Sequence, residues 1–269
     1  MRSHLSLVGT LVAGRADLNR SGRHLRETRA PVKPTVTLAE TIAPNGATLV
    51  LIEHDGDYYL QADGVQLQSS FAHNPASELA RLACGPLRST RQPHVLFAGL
   101  GLGYTLAGAR ETLLQKRGHF QVAEPIAELP SWHRKFLAEL HPGQVDDPRL
   151  NVQTQGLTAA FRKAPEGFNA ILLDAEGNLP LEGVTDRKCH PYPSFLNRAH
   201  SALKEGGLLA ISCAADHKSF ERKLRQVGFD VSYEIVASSH KGKQKRRSTI
   251  WLARKGSYQP RPSQGDANS

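Results

Sequence analysis

From Pro93 onward, apolar and polar positions alternate between two kinds of segment. Short apolar runs of four to seven residues, bounded by glycine, proline or charged residues, read as buried strands at 94–98, 119–123, 150–154, 169–174 and 207–213. Segments with helical spacing lie between them, at 104–116, 130–140, 157–163 and 193–204. Strands alternating with helices predict a doubly wound parallel sheet. The end of the chain breaks the rhythm. A helix at Phe220–Val227 is followed by strands at Phe229–Ala237 and Ser248–Ala253, which imply a terminal antiparallel hairpin. The region before Pro93 has a different texture. Thr48–Glu53 and Tyr58–Ala62 are strand-like, and Asn45-Gly46, His54–Asp57 and Asp63-Gly64 are turn signals, so 36–70 predicts a small antiparallel β unit. A helix at Glu78–Cys84 follows it.

The junction after the first parallel strand carries the main chemical signal. Val95–Ala98 opens into Gly99-Leu100-Gly101-Leu102-Gly103, and the helix starts directly afterwards. Glycines there let backbone approach a ligand at a helix N-terminus. The next strand ends in Glu124, 21 residues after Gly103, where a carboxylate can accept hydrogen bonds from ribose hydroxyls. Together these predict a nucleoside-containing ligand at the carboxyl ends of the strands. The spacing is G-x-G-x-G rather than the G-x-G-x-x-G of dinucleotide folds. It is the spacing seen in the first motif of class I methyltransferase-like folds, so S-adenosylmethionine is favoured over NAD. The fourth parallel strand ends in Asp174, which would converge with Gly101 and Glu124 on one crevice and there deprotonate an amine or orient a cation. The plainer alternatives are a tight turn at the glycines and a turn-capping role for Asp174.

Composition narrows the setting. The 269 residues divide into a basic leader at 1–35, the β unit and its helix at 36–90, the nucleoside-binding domain at 91–255 and a Pro/Gly/Ser/Gln-rich tail at 256–269, both ends being expected to lack packed structure. The net charge of +9 concentrates at two places: six arginines among the first thirty residues, and the run His240–Arg247. That run lacks the interleaved aromatics of a base-stacking surface and reads as a solvated hairpin tip, which argues against a nucleic-acid partner. Cys84, Cys189 and Cys213 show no C-x-x-C spacing, so neither a disulfide framework nor a zinc site is expected, and a cytoplasmic location is the default. Cys213 lies in an apolar run and is expected in the core. His73, His94, His190 and His217 have no metal-ligand spacing, and no metal is assigned. No apolar run reaches the ~18 residues of a membrane span, so no membrane partner is expected. Tyr192, between two prolines, is a candidate lining residue for the substrate pocket.

Several motifs together resemble the spermidine synthase (polyamine aminopropyltransferase) family: Ala62-Asp63-Gly64-Val65-Gln66-Leu67, the glycine motif, Glu124, Asp147–Val152, Phe168–Asp174 and Leu203–Leu208. The similarity covers roughly residues 36 to 254. It implies an N-terminal β domain ahead of a methyltransferase-like Rossmann domain, and transfer of an aminopropyl group from decarboxylated S-adenosylmethionine to an amine. It implies that Gly99, Gly101, Gly103, Glu124 and Gly156 bind the donor, that Asp174 is the general base, and that Gln66, Glu176 and Tyr192 face a small-molecule amine. The sulfonium donor is already activated, so no metal is required. A homodimer is open. Three departures mark the chain as divergent. The catalytic Asp is followed by Ala175-Glu176-Gly177-Asn178 in place of Ser-x-Asp-Pro, Phe71–Glu78 retains one acid, and Thr154-Gln155-Gly156 has none. Two other functions remain open on the residues: methyl transfer from S-adenosylmethionine itself, and cofactor binding without catalysis.

Overall fold

The structure, a computed structural model, describes residues 34–175, 191–213, 217–237 and 247–256. The chain divides into two units, Met1–Lys33 and Pro34–Ser269. The leader, the terminal tail, Glu176, Cys189, His190 and most of the basic run fall outside the described residues.

Two sheets make up the second unit. The first is a four-stranded antiparallel meander of β1 (Thr35–Ile42), β2 (Thr48–His54), β3 (Asp57–Ala62) and β4 (Val65–Ser69). Its turns are those the sequence marks, with Gly46, Gly56 and Gly64 at positive φ. Helix α1 (Asn74–Cys84) then leads to the second sheet. It starts four residues earlier than the sequence pattern suggests, because Pro75 in its first turn fits a helix start.

The second sheet has seven strands: β5 (His94–Ala98), β6 (His119–Ala123), β7 (Leu150–Gln153), β8 (Phe168–Asp174), β9 (Leu203–Cys213), β10 (Phe229–Ala237) and β11 (Arg247–Lys255). Their spatial order is β10-β11-β9-β8-β5-β6-β7. β5 pairs in parallel with β6 and β8, β6 with β7, and β8 with β9, whereas β11 runs antiparallel between β9 and β10. The crossover helices are α2 (Tyr104–Thr112), α3 (Leu129–Lys135), α4 (Leu157–Lys163) and α5 (Pro193–Ala202), and α6 (His217–Val227) precedes the hairpin. The fold is therefore the class I methyltransferase-like sheet with a terminal antiparallel hairpin, preceded by a β unit, as the pattern predicts.

Buried side chains explain the arrangement. Leu49, Leu51 and Leu60 from the first sheet join one core with Phe97, Leu100, Leu106 and Phe120, so the meander packs where the glycine loop emerges. A second core on the other face gathers Leu96, Ile171, Phe195, Phe220 and Trp251. Cys213 is fully buried there, as its apolar setting suggests. Helix α2 ends at Thr112 rather than running to 116. Leu113 turns extended and is fully buried, and the Gln115 amide beyond it donates to the carbonyls of Leu87, Arg88 and Thr90, so tertiary bonds replace the last turn. Ahead of β7, Asp147 accepts from Arg110 and from the Arg149 guanidinium, which also covers the Phe120 ring. These charge-assisted bonds hold its carboxyl well below the usual carboxylate range and fasten α2 to the start of β7.

Candidate active site

The site lies where β5, β6, β7 and β8 end. Gly99, Gly101 and Gly103 all have positive φ (90°, 51° and 92°), the conformation glycine adopts without penalty. The loop's amides are taken in turn. Gly99 N–H donates to the Ala123 carbonyl and Gly103 N–H to the Leu100 carbonyl. Leu100 N–H donates to Glu124 Oε2 at 2.7 Å, and Leu102 N–H to Gln68 Oε1 at 2.6 Å.

Glu124 directly follows β6, one residue past the end of the second parallel strand. Its other oxygen, Oε1, accepts Ile126 N–H at 2.9 Å, the intervening Pro125 having no N–H to offer. The side chain is 3% exposed. Burial raises its pKa against the lowering effect of the two backbone bonds. In this state the carboxylate ties the glycine loop to the end of β6, and a ribose diol would meet the lone pairs those amides leave. Glu124→Gln puts an amide NH₂ against one of two backbone N–H donors in a buried place. We expect a loss of about 1–3 kcal/mol in urea unfolding and a parallel fall in nucleoside affinity. Unchanged stability and affinity would remove Glu124 from the loop's support.

Behind the loop stands a group that sequence reading missed. His133 Nε2 donates to the Gly101 carbonyl at 2.8 Å, and Gln144 Nε2 donates to the Gly103 carbonyl at 3.1 Å. The His141 ring packs at nearly a right angle to Tyr104, which also stacks on His73 at 4.2 Å. Burial pushes both His133 and His141 down to about 4. A histidine lowered on folding binds its proton first in the unfolded chain. Its stabilisation is therefore full above pH ~6.5 and is lost as pH falls toward its folded value. For His133, 3% exposed, the loss should approach about 1.4 kcal/mol per pH unit within that window. Urea unfolding at pH 6.5 and 4.5 should show it, and His133→Gln should reduce the difference, leaving the share that His141 contributes. The window lies above the range in which Asp147 titrates.

Asp174 closes β8 and is 9% exposed. Gln68 Nε2 donates to its Oδ2 at 3.4 Å. Gln68, Ala98, Gly99, Leu100, Thr105 and Asp174 are among the residues lining one crevice. Gly156 is the N-cap of α4, beyond the end of β7. Tyr192 is the N-cap of α5 and half exposed. Gln66 does not reach the loop. It is exposed on β4, whereas Gln68, two residues on, reaches the loop.

The register of β4 explains the exchange. Gln66 pairs with Gln61, whereas Gln68 pairs with Leu60, leaving Leu67 as an extra residue in a bulge. In an unbroken strand Leu67 would oppose Leu60, and Gln68 would share the outer face with Gln66. Two glutamines at i and i+2 are the one hint the sequence gives, and the bulge is not legible in it. Among the described residues, no three His, Cys, Asp or Glu side chains gather in a geometry that could hold a metal ion, and no helix is long and apolar enough to cross a membrane.

No protein-family model matches the chain, and no curated protein does. Solved structures do. Spermidine synthase from Thermotoga maritima superposes with a TM-score of 0.61 at 18% identity, over 82% of this chain and 73% of that one. The fold is that of the spermidine synthases. A spermidine synthase in complex with the transition-state analogue AdoDATO gives 0.60 at 18% identity, over 82% and 72%. A probable spermidine synthase from Corynebacterium glutamicum gives 0.54 at 17%, over 82% and 79%. The CurJ carbon methyltransferase gives 0.50 at 14%, over 68% and 54%. The family resemblance carried by the sequence motifs is thus matched by a resemblance of fold over 82% of the chain.

Proposed function

We propose that the protein is an aminopropyltransferase related to the spermidine synthases, moving an aminopropyl group from decarboxylated S-adenosylmethionine to an amine. The observation that carries this reading is the pairing of Asp174 with the glycine loop across one crevice. A carboxylate stands beside the backbone that would cradle a sulfonium nucleoside. That one similar structure is a spermidine synthase in complex with the transition-state analogue AdoDATO supports a ligand of the S-adenosylmethionine type.

The chemistry asks three things of the chain. The donor must be held with its sulfonium carbon open to the acceptor, a task for the loop from Gly99 to Gly103, with Glu124 and Gly156 toward the nucleoside. The attacking nitrogen must be neutral, although an alkylamine has a pKa near ~10, and Asp174 accepts its proton. The new C–N bond forms as the C–S bond breaks, and the sulfonium leaves as a neutral thioether. The positive charge passes to the nitrogen, the product leaves as a secondary ammonium, and Asp174 gives its proton back to solvent. The acceptor must then be aligned with that carbon. Phe71–Glu78 carries one acid, so the acceptor is an amine recognised with less negative charge than a diamine such as putrescine would call for. Glu176 and Tyr192 are proposed to face it.

Calorimetry with S-adenosylmethionine, its decarboxylated form and 5′-methylthioadenosine tests the donor, and a screen of di- and polyamines tests the transfer. Aminopropyl transfer from the decarboxylated donor supports the reading. Methyl transfer from S-adenosylmethionine, with none from the decarboxylated form, would replace it by a methyltransferase on the same scaffold.

A further inference from the structure

We propose that Gln68 is a positioning residue for Asp174, its amide bridging the Leu102 N–H of the glycine loop and the Asp174 carboxylate so that the loop and the base are held as one unit. The inference rests on the reading of Asp174 as the base. Four observations lead to it.

The amide's orientation is fixed by chemistry. Leu102 N–H, at 2.6 Å, can only donate, so the Gln68 atom facing it is the oxygen. The atom facing Asp174 Oδ2 is then the NH₂, which can only donate. A carboxylate oxygen accepts that bond in its ionised form, the form a general base needs before it takes a proton. The contact is long at 3.4 Å, but the Leu102 bond fixes its polarity.

The loop is shaped to admit this side chain. A Cβ at Gly101 would lie 2.5 Å from Gln68 Oε1 and 2.6 Å from Nε2, so the absence of a side chain at Gly101 makes the room that Gln68 occupies. The strand is also adjusted to deliver it. The bulge in β4 turns Gln68 to the inner side opposite Leu60, and bulges beside active sites commonly re-aim a side chain. Finally, Gln68 comes from the N-terminal sheet, whereas Leu102 and Asp174 belong to the Rossmann-type sheet. This one amide therefore makes the β unit part of the catalytic arrangement rather than an appendage.

The decisive variant is Gln68→Glu. It keeps the acceptor for Leu102 N–H and replaces the donor facing Asp174 with a second carboxylate oxygen. Two carboxylates at this distance share a proton, and the pair's apparent pKa rises. The acidic limb of the kcat–pH profile should move up by about one pH unit or more. The same shift should appear in a ¹³C-carboxyl NMR titration of the resonance that is lost in Asp174→Asn, a readout independent of turnover. Gln68→Met, which removes the donor without adding charge, should shift that resonance in the same direction by less. If the Asp174 resonance titrates identically in all three proteins, the proposal is overturned even where Asp174 is the base. If Asp174→Asn leaves turnover unchanged, the base assignment fails instead, and the NMR shift alone reports whether the contact exists.

Discussion

Asp174→Asn should bind nucleoside much as the parent does and turn over about 10²–10⁴-fold more slowly, the usual worth of a positioned acid or base. The side chain is nearly isosteric, and its amide can turn its oxygen toward Gln68 Nε2, so the contact at 3.4 Å survives while the basicity does not. Its place at the last residue of β8, paired with Ser212 of β9, is set by strand backbone and does not depend on its charge. The loss should therefore fall on kcat rather than on nucleoside affinity. In the parent, turnover should climb toward alkaline pH as more of the acceptor amine is neutral, whereas the variant should keep the slope at a lower level. Calorimetry with 5′-methylthioadenosine beside a turnover assay separates the two effects. Equal turnover by variant and parent would assign Asp174 to structure alone.

What the sequence made legible here follows from where local signals are strong. Val95–Ala98 and Phe168–Asp174 are apolar runs too short for helices, and the strands end within a residue of where the pattern stops, because a buried parallel strand has no polar face to blur its limits. Glu124 and Asp174 could thus be placed at strand ends from spacing alone. The residues that brace the loop could not. His133 sits in a stretch read as one helix over 130–140, with His141 and Gln144 just beyond it, yet α3 stops at Lys135 and the chain turns back so that these side chains converge on the glycine loop. Nothing in periodicity announces such a convergence, since the contacts of His141 and Gln144 depend on the turn after the helix. Gln68 was missed for a related reason. Alternation assigns it to the same face as Gln66, and one extra residue in β4 reverses that. Glu124 shows a third kind of gap. Its position was readable, but the two backbone amides that occupy it became visible only with the loop's path.

Gly103→Ala should be the most damaging single methyl addition to the site, because it combines strain with the eviction of the bracing group. Gly103 has φ +92° and begins α2 as its N-cap. An L-residue held there costs about 1–3 kcal/mol. The new Cβ would also fall on Gln144 Nε2, and lie 2.8 Å from His133 Cε1 and 2.9 Å from His141 Cδ2. Gln144 is 1% and His133 3% exposed, so neither can swing into water. Displacing Gln144 costs its bond to the Gly103 carbonyl, which keeps the Ala107 N–H, and leaves the buried Gln144 amide without that partner, worth about 1–3 kcal/mol more. The sum, on the order of 2–6 kcal/mol, should lower Tm by roughly 5–20 °C for a domain of this size and abolish nucleoside binding. Gly143→Ala is the control. Its φ is +63°, and a Cβ there meets nothing within 4 Å, so it reports the strain of the left-handed conformation alone. The difference between the two variants isolates the contact with Gln144 and the histidines. If Gly103→Ala unfolds no more readily than Gly143→Ala and still binds nucleoside, the loop is not held from behind, and the glycine serves only to turn the chain.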